Sequence, residues 1–163
     1  MTGNIKYCFY PILFILMLLY RLLIFINKIL YVTKLIKTKK FDIPIISIGN
    51  IEVGGTGKTP FVIYLAKMLQ NSNFKPMVVS RGYKRSGSGT IIVHDGMEIK
   101  NNITKTGDEP YLIAVMLRNV PVVVGNNKID AIKKGLHAFK VDLVILDDGF
   151  QSRKIARDLD IVL

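Results

Sequence analysis

The sequence contains no tryptophan, one cysteine and two histidines. The lone Cys8 excludes a disulfide framework and a cysteine-based zinc cluster. His94 and His137 stand isolated, and no role is read from either. There is no internal repeat and no low-complexity tract. Acidic residues are scarce, 12 Asp+Glu against 23 Lys+Arg, and the first 41 residues contain none. A disordered tail is excluded by the opposite excess: 50% of the 163 residues are hydrophobic, enough for the core of one ordinary domain.

A net charge of +11 calls for a polyanionic partner, with nucleic acid and an acidic membrane as the usual candidates. The distribution of the charge separates them. Lys6, Arg21, Lys28, Lys34, Lys37, Lys39 and Lys40 supply seven of the eleven excess charges, and the other 122 residues carry a net of only +4. The same segment holds the longest apolar run, Tyr7 to Ile26, broken only by Pro11 and Arg21. Twenty helical residues at roughly 1.5 Å each just reach across a bilayer core of about 30 Å. No small-residue cleavage site follows, which sets aside a secretory signal. Residues 1–40 are therefore expected to form a membrane-associated helix with a basic flank, with an anionic membrane surface and no nucleic acid as partner. Two geometries stay open. One is a spanning helix with Lys28 to Lys40 on the cytoplasmic side, the other a helix lying in the interface with basic heads over an apolar face.

From Phe41 onward short Ile/Val-rich runs alternate with helical stretches. Ile43–Ile48, Met77–Ser80, Ile91–His94, Pro121–Gly125, Leu143–Leu146 and Asp160–Leu163 read as strands. Phe61–Gln70, with Val62, Leu65, Ala66 and Leu69 on one face, Tyr111–Leu117 and Asp130–Phe139 read as helices. The alternation predicts an α/β domain over 41–163 with a mainly parallel sheet flanked by helices. A hairpin with its turn at Asp95-Gly96 is expected at the edge. The final DLDIVL reads as the start of a buried strand, so either a natural sheet edge or the front part of a longer protein is expected there.

The strongest motif is IGNIEVGGTGKTP, Ile48 to Pro60, between a strand and a helix. Gly54, Gly55 and Gly57 let successive backbone N–H groups face inward around phosphate oxygens, and the helix start adds partial positive charge. Lys58 would reach the β- and γ-phosphates and the Thr59 hydroxyl would bind Mg²⁺. The pattern G-x-x-x-x-G-K-[ST] is missed at one position, where Glu52 replaces Gly. Glu52, Val53, Gly54, Gly55, Thr56, Gly57, Lys58 and Thr59 are thus the expected phosphate loop of a P-loop NTPase-like fold. Its metal carboxylate is expected from DLVILDDGFQ, an apolar strand ending in Asp147-Asp148. Strand ends in a parallel sheet share one edge with the phosphate loop. Asp147 is assigned to the metal and Asp148, beside it, to the catalytic group.

Two further loops fall on the same expected edge. SRGYKR, Ser80 to Arg85, offers Arg81, Lys84 or Arg85 to phosphate, with Arg81 taken as the candidate. GDEP, Gly107 to Pro110, precedes a helix, where Asp108 reads as an N-cap or as a carboxylate accepting a proton from a hydroxyl. Asn127-Lys128-Ile129-Asp130 spells N-K-x-D, like the guanine-reading motif of GTPases, but the acidic Asp147-Asp148-Gly149 follows it where GTPases have theirs before.

Taken together, PIISIGNIEVGGTGKTP, VVSRGYKR, GDEPYLIA, PVVVGNNKIDA and DLVILDDGFQSRKIARDLDIVL resemble the tetraacyldisaccharide 4′-kinases of lipid A synthesis, in that family's order. The resemblance implies transfer of the ATP γ-phosphate to the 4′-hydroxyl of a tetraacyldisaccharide 1-phosphate, a lipid A precursor, at the cytoplasmic face of the bacterial inner membrane. It makes Asp108 the base candidate and places Glu109 with Asp147 and Thr59 around Mg²⁺. Three departures stand out. Ser152 replaces the usual His after DDGFQ, and Lys128 replaces an Arg that would bind phosphate in a bidentate manner. Family members are also longer, their second half forming a separate C-terminal lobe. An inactive nucleotide-binding fragment and a membrane GTPase are the alternative readings.

Overall fold

The computed structural model describes residues 4–32, 38–50, 57–83, 85–150 and 152–163. The chain divides into two compact units, Met1–Thr38 and Lys39–Leu163. The first contains helix α1, Asn4–Val32, with Pro11 inside it. Its described side chains from Leu13 to Ile26 are all exposed, among them Leu13, Phe14, Leu18, Leu23 and Phe25. Among the described residues no helix is long and apolar enough to cross a membrane.

The second unit is a six-stranded sheet in the order β3-β4-β2-β5-β1-β6. Its strands are β1 (Ile45–Gly49), β2 (Pro76–Ser80), β3 (Thr90–His94), β4 (Val122–Gly125), β5 (Leu143–Asp147) and β6 (Leu159–Val162). All pairings are parallel except β3 with β4. The helices are α2 (Lys58–Asn71), α3 (Ile103–Thr106), α4 (Asp108–Met116) and α5 (Lys128–Ala138).

Every residue of β2, β4 and β5 is buried, as expected for interior parallel strands covered on both faces. Alternate side chains feed two cores. Val78, Ile145 and Ile48 join Val62, Leu65 and Ala66 of α2 and Ile113 of α4. Met77, Val79, Val144 and Leu146 join Ala131 and Ile132 of α5 on the other face. Each Val, Leu, Ile or Met among them contributes roughly 1.5–3 kcal/mol by leaving water.

The structure modifies the sequence reading at both edges of the sheet. The expected hairpin is short: His94 bridges Ile99 and the Lys100 amide donates to the Val93 carbonyl at 2.8 Å, while the other edge of β3 pairs antiparallel with β4. Asp95 still makes the turn there, its carboxylate accepting from the Met97 and Glu98 amides and pairing with Lys100 at 3.0 Å. His94 is buried, and its Nδ1 accepts from the Gly96 amide. The expected buried strand DLDIVL is largely exposed as β6, which among the described residues has β1 as its one neighbour in the sheet.

Candidate functional site

The carboxyl ends of β1, β2, β4 and β5 form one edge, and most of the residues singled out by the sequence lie along it. Gly57 adopts φ +79 and caps α2, which starts three residues earlier than its periodicity suggests. Lys58 is the first residue of α2, and its Nζ donates to Asn50 Oδ1 at 2.8 Å, just beyond β1. Thr59 follows in the first turn and is partly buried. Glu52, Val53, Gly54, Gly55 and Thr56 lie outside the described residues.

The loops after β2 and before α4 meet backbone to backbone. Gly82 has φ +71, and a Cβ there would stand 2.9 Å from the Thr106 carbonyl. Gly107 has φ +89 with ψ 157, and a Cβ there would stand 3.0 Å from the Tyr83 carbonyl. That combination of angles is open essentially to glycine alone. The two glycines therefore bring SRGY against GDEP, so that exposed Arg81 shares this edge with exposed Asp108 and Glu109. Gly107, not Asp108, is the N-cap of α4; Asp108 and Glu109 occupy its first turn, where acidic groups suit the helix dipole.

Asp147 ends β5 and is 2% exposed. Ser80, ending β2, donates its hydroxyl to Asp147 Oδ2 at 2.8 Å. Burial pushes the Asp147 carboxyl above the usual range. The charges of Glu109 and Asp148 push the same way, against the Ser80 hydrogen bond and the Lys128 charge. Asp148 holds φ +51, left-handed for a non-glycine residue. Gly149 follows it, packed so closely that a Cβ would stand 2.6 Å from Ser47 Oγ. Ser47 Oγ is itself buried, with no hydrogen-bond partner among the described residues.

Lys128 turns inward from α5. It is 8% exposed and donates to the carbonyls of Asp147, at 2.8 Å, and Asp148. Burial lowers its pKa to about 8, against the attraction of Asp148 and Asp147. The rest of N-K-x-D is spent locally. Asn127 Oδ1 accepts from the Ile129 amide as the cap of α5, and its Nδ2 donates to Asp130 at 2.7 Å. The buried cation has a thermodynamic consequence. Below pH 8 both folded and unfolded chains carry the proton, and the desolvated ammonium costs stability. Between 8 and 10.5 the unfolded chain binds more protons, so this cost falls as pH rises. The urea midpoint of the chain minus that of Lys128→Arg, whose guanidinium does not titrate, is expected to rise across that interval by the equivalent of about 1–3 kcal/mol. A flat difference would contradict it.

Among the described residues no group of three His, Cys, Asp or Glu side chains is placed to hold a metal by itself. Mg²⁺ on a nucleotide needs only one or two carboxylates, the phosphates and waters supplying the rest. A buried carboxylate crowded by Glu109 and Asp148 fits that requirement. Ser80 and Asn50 are not singled out by the sequence; the one available signal is their place at the ends of predicted strands. Ser152 is partly buried and extends the acidic turn, its amide donating to the Gly149 carbonyl at 2.8 Å.

Comparison with known proteins places these features in a family. Residues 9–163 match the family described as Tetraacyldisaccharide-1-P 4'-kinase. The tetraacyldisaccharide 4'-kinase of Halothermothrix orenii is 41% identical over 167 residues, covering 99% of this chain and 43% of the relative. That of Aquifex aeolicus is 43% identical over 145 residues, covering 89% and 45%. A crystal structure of LpxK from Aquifex aeolicus in complex with ATP superposes with a TM-score of 0.82 at 39% identity, over 97% of this chain and 48% of that one. The chain thus spans somewhat under half the length of these relatives. The chain belongs to the tetraacyldisaccharide-1-P 4'-kinase family.

Proposed function

We propose that this chain carries the nucleotide half of an ATP-dependent kinase that phosphorylates the 4′-hydroxyl of a tetraacyldisaccharide 1-phosphate. The observation that carries the reading is convergence. Lys58 at the start of α2, buried Asp147 with Asp148, and the Arg81 and Asp108-Glu109 loops all lie on one sheet edge. The ATP complex of the Aquifex relative supports the choice of nucleotide.

In this reading residues 52–59 wrap the phosphates as a P-loop, with backbone N–H groups and the start of α2 supplying positive potential. Lys58 leaves Asn50 for the β- and γ-phosphate oxygens, and Arg81 steadies the transferring group. Thr59, Asp147 and Glu109 would hold Mg²⁺, which neutralises charge on the phosphoryl group when bound. The acceptor oxygen attacks the γ-phosphorus, the bond to the β-phosphate oxygen breaks and ADP departs. Asp108, exposed at the mouth of the site, accepts the hydroxyl proton. Asp148 is read as a further catalytic carboxylate beside the metal.

Helix α1 is read as the membrane contact. A stretch of exposed apolar side chains interrupted by Arg21, followed by Lys28, Lys34, Lys37, Lys39 and Lys40 without an acid, suits an anionic leaflet and an acylated substrate. The location proposed is the cytoplasmic face of the bacterial inner membrane.

Lys58→Ala is expected to weaken ATP binding on the order of tenfold, about one charged hydrogen bond. Calorimetric titration of the detergent-solubilised chain checks this, and unchanged affinity would sink the assignment. A second reading, nucleotide binding without turnover, is favoured by coverage of only 43–48% of the relatives. It differs in one measurement: ADP formation from ATP and the disaccharide 1-phosphate by the chain alone, against formation only after the relatives' second half is added as a separate polypeptide. A GTPase reading would require Asn127 and Asp130 to release each other, and preference for ATP over GTP in competition excludes it.

A further inference from the structure

The segment RDLDIVL, Arg157 to Leu163, has no part in the chemistry described above, yet its first residue reaches the acidic turn. Arg157 NH1 donates to the carbonyls of Gly149, at 3.2 Å, and Phe150, at 2.9 Å. Lys128 donates to the two preceding carbonyls, Asp147 and Asp148. Four consecutive carbonyls, Asp147 through Phe150, are thus each capped by a cationic side chain, two from α5 and two from the segment before β6. Few turns need this. This one bends at Asp148 with φ +51, a conformation a non-glycine residue keeps only when its surroundings hold it.

The arginine is itself held. Its Nε pairs with Asp160 Oδ1 at 3.2 Å, which leaves NH1 aimed at the turn. The segment is anchored on the sheet by Asp158, whose carboxylate accepts from the Ile45 amide at 2.7 Å and whose own amide donates to the Ile45 carbonyl at 2.9 Å. The Gly149 amide donates to the Ile48 carbonyl at 2.9 Å, tying the turn to β1 from the opposite side. The chain of contacts runs from Asp160 to Arg157, to the Gly149 and Phe150 carbonyls, to the backbone that carries both carboxylates.

We propose that Arg157, oriented by Asp160, is a positioning residue that fixes the Asp147-Asp148 turn for the metal–nucleotide complex. The inference rests on the reading of this edge as a MgATP site. It assigns Arg157 no contact with substrate: its two carbonyl bonds set where the carboxylates stand, as partners one step behind metal ligands do elsewhere. A guanidinium suits the task because its rigid fork serves Asp160 through Nε and the carbonyls through NH1 at once, which an ammonium cannot do with fixed geometry.

The test is a two-by-two titration of the detergent-solubilised full chain with ATP, in Mg²⁺ and in EDTA, by calorimetry. The variants are Arg157→Gln, Arg157→Lys and Asp160→Asn. Wild-type chain showing tighter ATP binding in Mg²⁺ than in EDTA supports the MgATP reading itself. Its failure to bind ATP at all overturns that reading, and the positioning role with it. Given wild-type binding, Arg157→Gln is expected to cut the Mg²⁺-dependent gain about tenfold while affinity in EDTA stays within about twofold. Asp160→Asn should lose part of the same gain, and Arg157→Lys should restore less than half of it. An equal loss in Mg²⁺ and EDTA marks Arg157 as a general support of the fold and overturns the proposal, as does an unchanged gain in Arg157→Gln. Asp160→Asn changes one exposed partner and leaves every backbone bond in place, so it decides the matter if Arg157→Gln does not fold.

Discussion

Asp147→Asn is expected to raise the thermal stability of the chain while removing the metal-dependent part of its ATP binding. The carboxyl is buried, and burial raises its pKa above the ordinary value. In the interval between the unfolded and folded pKa the native chain binds the extra proton. The favourable contribution of the protonated acid is therefore complete below the unfolded pKa and is lost as pH rises through the folded one. Once ionised, Asp147 sits desolvated beside Glu109 and Asp148, and the fold carries that cost. Asparagine keeps the shape and leaves an oxygen for the Ser80 hydroxyl, so the expected gain is on the order of 1–2 kcal/mol. That corresponds to a rise of several degrees in melting temperature. Differential scanning calorimetry at pH 5 and pH 8 checks it, with a larger gain at pH 8. A lower melting temperature for the variant at both values would show that the carboxylate is already compensated.

Gly107→Ala is expected to be among the most damaging conservative changes in the chain, costing about 3 kcal/mol or more. Its φ of +89 with ψ 157 excludes a side chain, and the added Cβ would meet the Tyr83 carbonyl at 3.0 Å. Gly82→Ala faces the same joint from the other side, with φ +71 and a Cβ 2.5 Å from Val124 Cγ2. Each change alone separates the Arg81 loop from the Asp108 loop, so the pair should cost less than the two singles combined. Urea denaturation of the three variants measures both quantities. Strict additivity would show that the two glycines do not share one joint.

Much of this was open to reading because the informative signals are local. Runs of Val and Ile gave the strands, helical spacing gave α2, and Gly57-Lys58-Thr59 and Asp147-Asp148 fall where a phosphate edge requires. What escaped depends on pairs distant in sequence. Which strand stands beside which is decided by tertiary contacts, so the antiparallel pairing of β3 with β4 has no local signal. Lys128 draws notice as a departure from an arginine pattern, yet nothing in N-K-x-D tells that its ammonium turns inward to two carbonyls. Arg157 has no signature either, since a guanidinium bound to backbone oxygens demands no partner side chain at a fixed spacing.

The place of β1 in the sheet has a consequence for how the molecule is made. β1 lies between β5 and β6, pairing Ile45 with Val144 and Ile46 with Leu159. The strand that leads into the phosphate loop is thus synthesised before β2, β3 and β4, and both its partners after them. At roughly 5–20 residues per second of translation, IISIG waits several seconds with neither edge covered. Pairings this distant in sequence also close slowly, since a long loop must be ordered before any contact rewards it. The nucleotide edge is therefore assembled only once β5 has been made, when Ile48 and Asp147 come into register. Until then a nascent chain presents an apolar strand to chaperones and to other copies of itself.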